Sequence, residues 1–160
     1  MPLKGNWNKT IKKLNNFQKE LEMKLEQTLT QAAADVESVA KGHLKNQDLG
    51  WTALKPAYLR KKLRGKGRGG RRLSEKILIA TGTYFQSITS YVEGLTAFIG
   101  VKRGVAREKD GTDIVDIALV HENPITSPNP KRPLWKPTFD ETKPEVMKKF
   151  KQALHEVTNR

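Results

Sequence analysis

The three histidines of this 160-residue sequence, His43, His121 and His155, are scattered over an expected first helix, a strand end and a last helix. No two of them stand at metal-ligand spacing, and with no cysteine there is neither a thiol nucleophile nor a Cys-based zinc site. His121 and Glu122 could form an acid-base pair. On a strand, however, neighbouring residues point to opposite faces and would not share one proton path. Asp110, Asp113 and Asp116 make a sparse carboxylate series that could hold a hard cation. The plainer reading is a solvated hairpin whose carboxylates counter Lys102, Arg103 and Arg107. No Ser-His-Asp order or nucleophile elbow is visible, so the sequence predicts no catalytic residue, no metal and no cofactor.

The strongest local chemistry is electrostatic. Lys and Arg total 30 against 17 Asp and Glu, giving a net charge of +13 and a pI near 10.0. That balance points to an anionic partner: nucleic acid, an acidic protein surface or lipid headgroups. The charge is densest at Arg60, Lys61, Lys62, Arg64, Lys66, Arg68, Arg71 and Arg72. Such a stretch suits sequence-independent phosphate contact through counterion release. Stacking aromatics are missing from it, which argues against base readout or a single-strand platform. Four glycines over 64–72 raise the entropy of ordering, so the sequence predicts a mobile basic loop there. No strand precedes it and no Gly-Lys-Ser/Thr follows, so it is not a nucleotide-binding loop.

The elements that must carry these groups are read from periodicity. Ile11, Leu14, Phe17, Leu21, Leu25, Leu29, Ala32, Val36, Val39 and His43 recur at three- and four-residue steps, predicting one long amphipathic helix. Asn8 is its expected N-cap, Gly50 with the polar Asn46-Gln47-Asp48 stretch its stop, and Gly42 a place for a break. Trp51 to Leu63 reads as a short second helix with Pro56 near its first turn. Ser87 to Val92, a Glu93-Gly94 turn, and Leu95 to Val101 predict a hairpin. After the turn-prone Asp110-Gly111 pair, Ile114 to Val120 reads as a third strand, giving an antiparallel sheet of three to four strands. Five prolines between Asn123 and Pro137 predict an extended, stiff arm at 123–137, and Thr142-Lys143-Pro144-Glu145 has the spacing that starts a last helix. The expected class is α+β, a single domain over 1–160.

The order of several short segments resembles the tail-completion or head-tail joining family of tailed bacteriophages, also called minor tail or virion morphogenesis proteins. The likeness runs through Gly50-Trp51-Thr52-Ala53-Leu54 with Tyr58 and Lys62, then Ile79-Ala80-Thr81-Gly82 followed by Ser87-Ile88, then Ile99-Gly100-Val101. It continues through Ala118-Leu119-Val120-His121-Glu122 and ends at Pro130-Lys131-Arg132-Pro133-Leu134-Trp135. About two-thirds of the chain is covered. The long glycine-arginine insertion before Thr81-Gly82 and the Glu122-Asn123-Pro124 sequence depart from the pattern.

The resemblance implies a structural subunit in the virion neck, commonly a sixfold ring between the head connector or stopper proteins and the tail terminator or tail tube. Double-stranded DNA would pass through that ring. The basic loop would then face either the DNA or an acidic neighbour, and Trp51, Arg132, Pro133, Leu134 and Trp135 would offer subunit contacts. For Trp135 an anchor beneath the chain's own last helix is an equal alternative. No apolar run is longer than the four residues of Ile77 to Ala80, too short to span a membrane, and no secretory signal is visible at Met1 to Trp7, so assembly in the host cytoplasm is expected. A soluble nucleic-acid-binding protein is the rival reading.

Overall fold

The computed structural model describes residues 5–64, 73–107, 110–123 and 129–159. The dominant element is α1, Trp7–Asn46, 40 residues long and hence about 60 Å from end to end. Asn6, rather than Asn8, caps it: the Asn6 side chain accepts from the Lys9 amide at 3.1 Å. Gly42 causes no break. The helix stops where Gln47 turns left-handed (φ 58°) and its amide donates to the His43 carbonyl at 2.8 Å. The Gln47 side chain then binds Ile77, accepting from its amide at 2.8 Å and donating to its carbonyl at 3.2 Å. Those bonds fix the stretch containing Leu78, a non-glycine residue at φ 60°.

A second long helix, α5 (Trp135–Thr158), lies antiparallel on α1. Lys24 meets Glu156 at 2.6 Å near one end, Asp35 pairs with Lys149 in the middle, and His43 faces Glu141 at the other. Small residues Ala32, Ala33 and Ala40 on the buried face of α1 let its neighbours approach closely. On the same helix lies the hairpin β1 (Ile88–Glu93) and β2 (Thr96–Val101), in register from Ile88 opposite Val101 to Glu93 opposite Thr96. Gly94, at φ 56°, supplies the left-handed turn residue. Ser90 donates to the Glu37 carboxylate at 2.7 Å and ties β1 to α1. The short helices α3 (Thr83–Ser87) and α4 (Ile114–Glu122) close the end of the molecule around Leu44, Tyr84, Ile88, Ile114, Ala118 and Leu134, and α2 (Pro56–Leu63) is a third short helix.

The class is therefore α+β, but the sheet has two strands, not three to four. Ile114 to Val120 forms helix α4 instead of a third strand. Its β-branched residues favour a strand locally, yet Asp113 accepts from the Val115 amide at 2.9 Å and starts a helix. Among the described residues, an isolated bridge pairs Ala106 with Asp113 in front of it, with the Ile114 amide donating to the Val105 carbonyl at 2.9 Å. The second helix begins at Pro56, five residues after Trp51. The proline arm is also shorter than expected, because α5 opens at Trp135 and runs through Pro137 and Pro144. Pro137 sits in the first turn, where amides have no partner within the helix, whereas Pro144 forfeits an interior bond. Residues 124–128 of the expected arm lie outside the described residues.

Candidate functional site

The segments whose order carries the resemblance converge at the end of the molecule. The Trp51 indole donates to the Pro133 carbonyl at 2.9 Å, and the Arg132 guanidinium to the Thr52 carbonyl at 3.2 Å. The Arg132 amide donates to the His121 carbonyl at 2.8 Å, which lashes the approach to α5 onto the end of α4. Glu122 completes the joint. One of its carboxylate oxygens accepts the amides of Leu134 (2.8 Å) and Trp135 (3.1 Å), and the other accepts that of Lys136 (3.0 Å). A carboxylate supplied by the preceding helix therefore caps the first turn of α5, where free amides and the helix dipole both favour negative charge. Both carboxylate oxygens of Glu122 are thus engaged by this turn.

Lys62 also turns inward. It is 6 % exposed, and its ammonium donates to the carbonyls of Lys76 (2.7 Å) and Ile79 (3.1 Å). Lys76 in turn donates to the Lys45 carbonyl at 2.6 Å at the end of α1. Burial, reinforced by the nearby Arg132 charge, lowers the Lys62 pKa to about 8. The same two causes, burial first, hold His121 below the ordinary histidine value. Burial likewise lowers Arg132, and burial followed by the Glu122 charge pushes the Tyr84 phenol up. Arg132 Nε and His121 Nδ1 are buried without a hydrogen-bond partner among the described residues. This cation-rich knot joins α2, the 73–80 segment, α4 and α5.

Of the expected basic surface, Arg60, Lys61 and Arg64 are exposed, Lys62 is part of the knot, and Lys66, Arg68, Arg71 and Arg72 lie outside the described residues. Of the expected contact residues, Leu134 is fully buried and Arg132 nearly so, while Trp51, Pro133 and Trp135 are half-buried in the knot. Asp110 pairs with Arg107 and accepts from the Thr112 hydroxyl at 2.8 Å. Asp113 caps α4 and accepts the Gly104 amide at 3.0 Å. Among the described residues no group of three or more His, Asp or Glu could hold a metal, and no helix is long and apolar enough to cross a membrane.

What the structure leaves open is apolar. Every residue from Gly5 to Lys19 is exposed, because α5 reaches only as far as Lys24 along α1. The free end of α1 extends about 20 Å past the body. It carries Trp7 (57 % exposed), Ile11 (54 %), Leu14 (61 %) and Phe17 (41 %), in line with the face that the body buries further along. Ile11, Leu14 and Phe17 belong to the periodic stripe read from the sequence. Trp7 extends it, a position that the same spacing indicates four residues before Ile11. On the outer face of the hairpin, Tyr91 and Phe98 stack with centroids 4.7 Å apart, and Leu95 stands exposed at the turn.

No protein-family model matches the chain, and no similar chain is found among curated proteins or solved structures.

Proposed function

We propose that this chain is a structural assembly subunit that closes into a ring in the neck or head-proximal tail end of a tailed-phage particle. Its neighbours there would be connector or stopper proteins on the head side and terminator or tube proteins on the tail side. The observation that carries this reading is the free end of α1: four large apolar side chains aligned on one stripe and held in water by a helix that outruns its partner. Soluble monomers seldom keep such a contiguous patch open, and a neighbouring subunit is the simplest cover for it. The likeness in segment order supplies the setting, and Trp51, Lys62, Glu122 and Arg132, which belong to those segments, serve one structural joint.

The charge fits the same setting. Arg60, Lys61 and Arg64 are exposed beside the 65–72 segment, and the total of +13 suits a surface near packaged DNA or an acidic neighbour. The test is to purify phage particles that incorporate this chain in tagged form and image the tag. Density at the junction between head and tail is expected, and absence from the particle refutes the reading. The exposed cations also favour a second reading, a free nucleic-acid-binding protein. That protein would hold DNA with an affinity falling steeply as salt rises, and it would do so as a monomer.

A further inference from the structure

We infer that the knot between α2, the end of α4 and the approach to α5 is a binding site for a phosphate dianion, held by Lys62 and Arg132 with His121 beside them. This goes beyond the ring reading and does not depend on it. Lys62 and Arg132 are only 6 % and 8 % exposed. Among the described residues no carboxylate pairs with either of them. Glu122 is engaged by the first turn of α5, and Asp110 by Arg107. A buried charge without a counter-charge is costly, so two such cations in one joint call for an anion from outside the chain.

Hydrogen-bonding capacity is left over at the same place. The Lys62 ammonium gives two of its three hydrogens to the Lys76 and Ile79 carbonyls, which leaves one. Arg132 Nε is buried with no partner among the described residues, and so is His121 Nδ1, while the other nitrogen of that ring bonds the Pro130 carbonyl. Protonation turns Nδ1 into a further donor, and a nearby anion favours that form. Arg132 is the hub: its charge bears on both Lys62 and His121, and its amide bonds the His121 carbonyl at 2.8 Å. Tyr58, one turn before Lys62 on α2 and 53 % exposed, borders Arg132 and gives the knot a side towards solvent. The charge count selects the ligand class. A phosphate with one ester bond or none carries about −1.5 to −2 near neutral pH, which the two fixed cations balance. A carboxylate or a phosphodiester, with one charge, leaves one cation uncompensated. Donors that come from three separate elements also suit a group with several oxygens.

The test uses the full chain at neutral pH, with sodium phosphate compared against sodium chloride at equal ionic strength. At a hundredfold excess over Kd, phosphate is expected to raise Tm by roughly 5–10 °C. Lys13→Met, on the exposed free end of α1, should keep that rise, and Lys62→Met should lose it. In the wild-type chain, nitrogen NMR should show phosphate shifting the ring resonances of His121 and leaving those of the exposed His155 in place. A wild-type Tm no higher in phosphate than in chloride overturns the proposal. So does a rise that Lys62→Met retains, or one that leaves His121 unmoved, a reading that holds even where the variant fails to fold. An oligonucleotide with a terminal phosphate, set against the same strand ending in hydroxyls, separates the two sources of this group. Extra stabilisation by the phosphorylated strand assigns the site to a strand end, and equal effects beside a response to inorganic phosphate assign it to the free ion.

Discussion

Replacing Glu122 should loosen the junction between α4 and α5 by an amount that follows from its three bonds. Glu122→Ala leaves the amides of Leu134, Trp135 and Lys136 without their acceptor, at an end of α5 where Leu134 is wholly buried. Loss of a helix cap typically costs about 1 kcal/mol, and the charge at a helix N-terminus adds about 0.3–1 kcal/mol. A buried amide left without a partner costs about 1–3 kcal/mol more. The sum for Glu122→Ala is about 3 kcal/mol, or a fall in Tm of roughly 6–12 °C for a chain of this size. Glu122→Gln should cost less, about 1–2 kcal/mol. Its amide oxygen can keep Leu134 and Trp135, but the amide nitrogen then faces the Lys136 N–H, and the charge is gone. Urea unfolding followed by circular dichroism at neutral pH measures both. A Glu122→Ala midpoint equal to wild type, with an unchanged slope, refutes the reasoning that this carboxylate holds α5.

Lys62 titrates at about 8 in the folded chain against an ordinary 10.5, so between these values the unfolded chain binds more protons and stability rises with pH. The rise should be clearest between pH 8 and 10, before Tyr84, whose pKa is raised, begins to oppose it, and Lys62→Met should abolish it. Depression of the His121 pKa has the same sign on the acid side: stability should fall as pH drops below about 6.5, and less so in His121→Gln, as read by thermal melts. Trp7→Ser with Leu14→Ser should leave the urea midpoint within about 0.5 kcal/mol of wild type, since both side chains are exposed, yet shift sedimentation towards monomer. Replacing Arg64, Arg68, Arg71 and Arg72 with Ser should weaken binding to a DNA duplex. It should also flatten the salt dependence by about 0.9 for each phosphate that is no longer neutralised.

Long-period patterns were legible in the sequence and tertiary substitutions for local preference were not. The stripe from Ile11 to His43 repeats often enough to define α1, and Gly94 between two runs of strand formers defines the hairpin. In Ile114 to Val120 the branched side chains pointed to a strand, while the cap at Asp113, with Asp116 in the following turn, was the local sign of a helix. The start of α5 was hidden because Pro137 reads as a breaker except in a first turn, and because the cap, Glu122, lies 12 residues before Leu134. In sequence Lys62 is indistinguishable from its charged neighbours, because burial against carbonyls 14 and 17 residues away leaves no mark on the local pattern.

Native mass spectrometry of the full chain over rising concentration bears most directly on assembly. A closed ring appearing beside monomer, with few species between, is the expected result. A single monomeric mass throughout, at concentrations where weak head-to-tail contacts would saturate, contradicts the account.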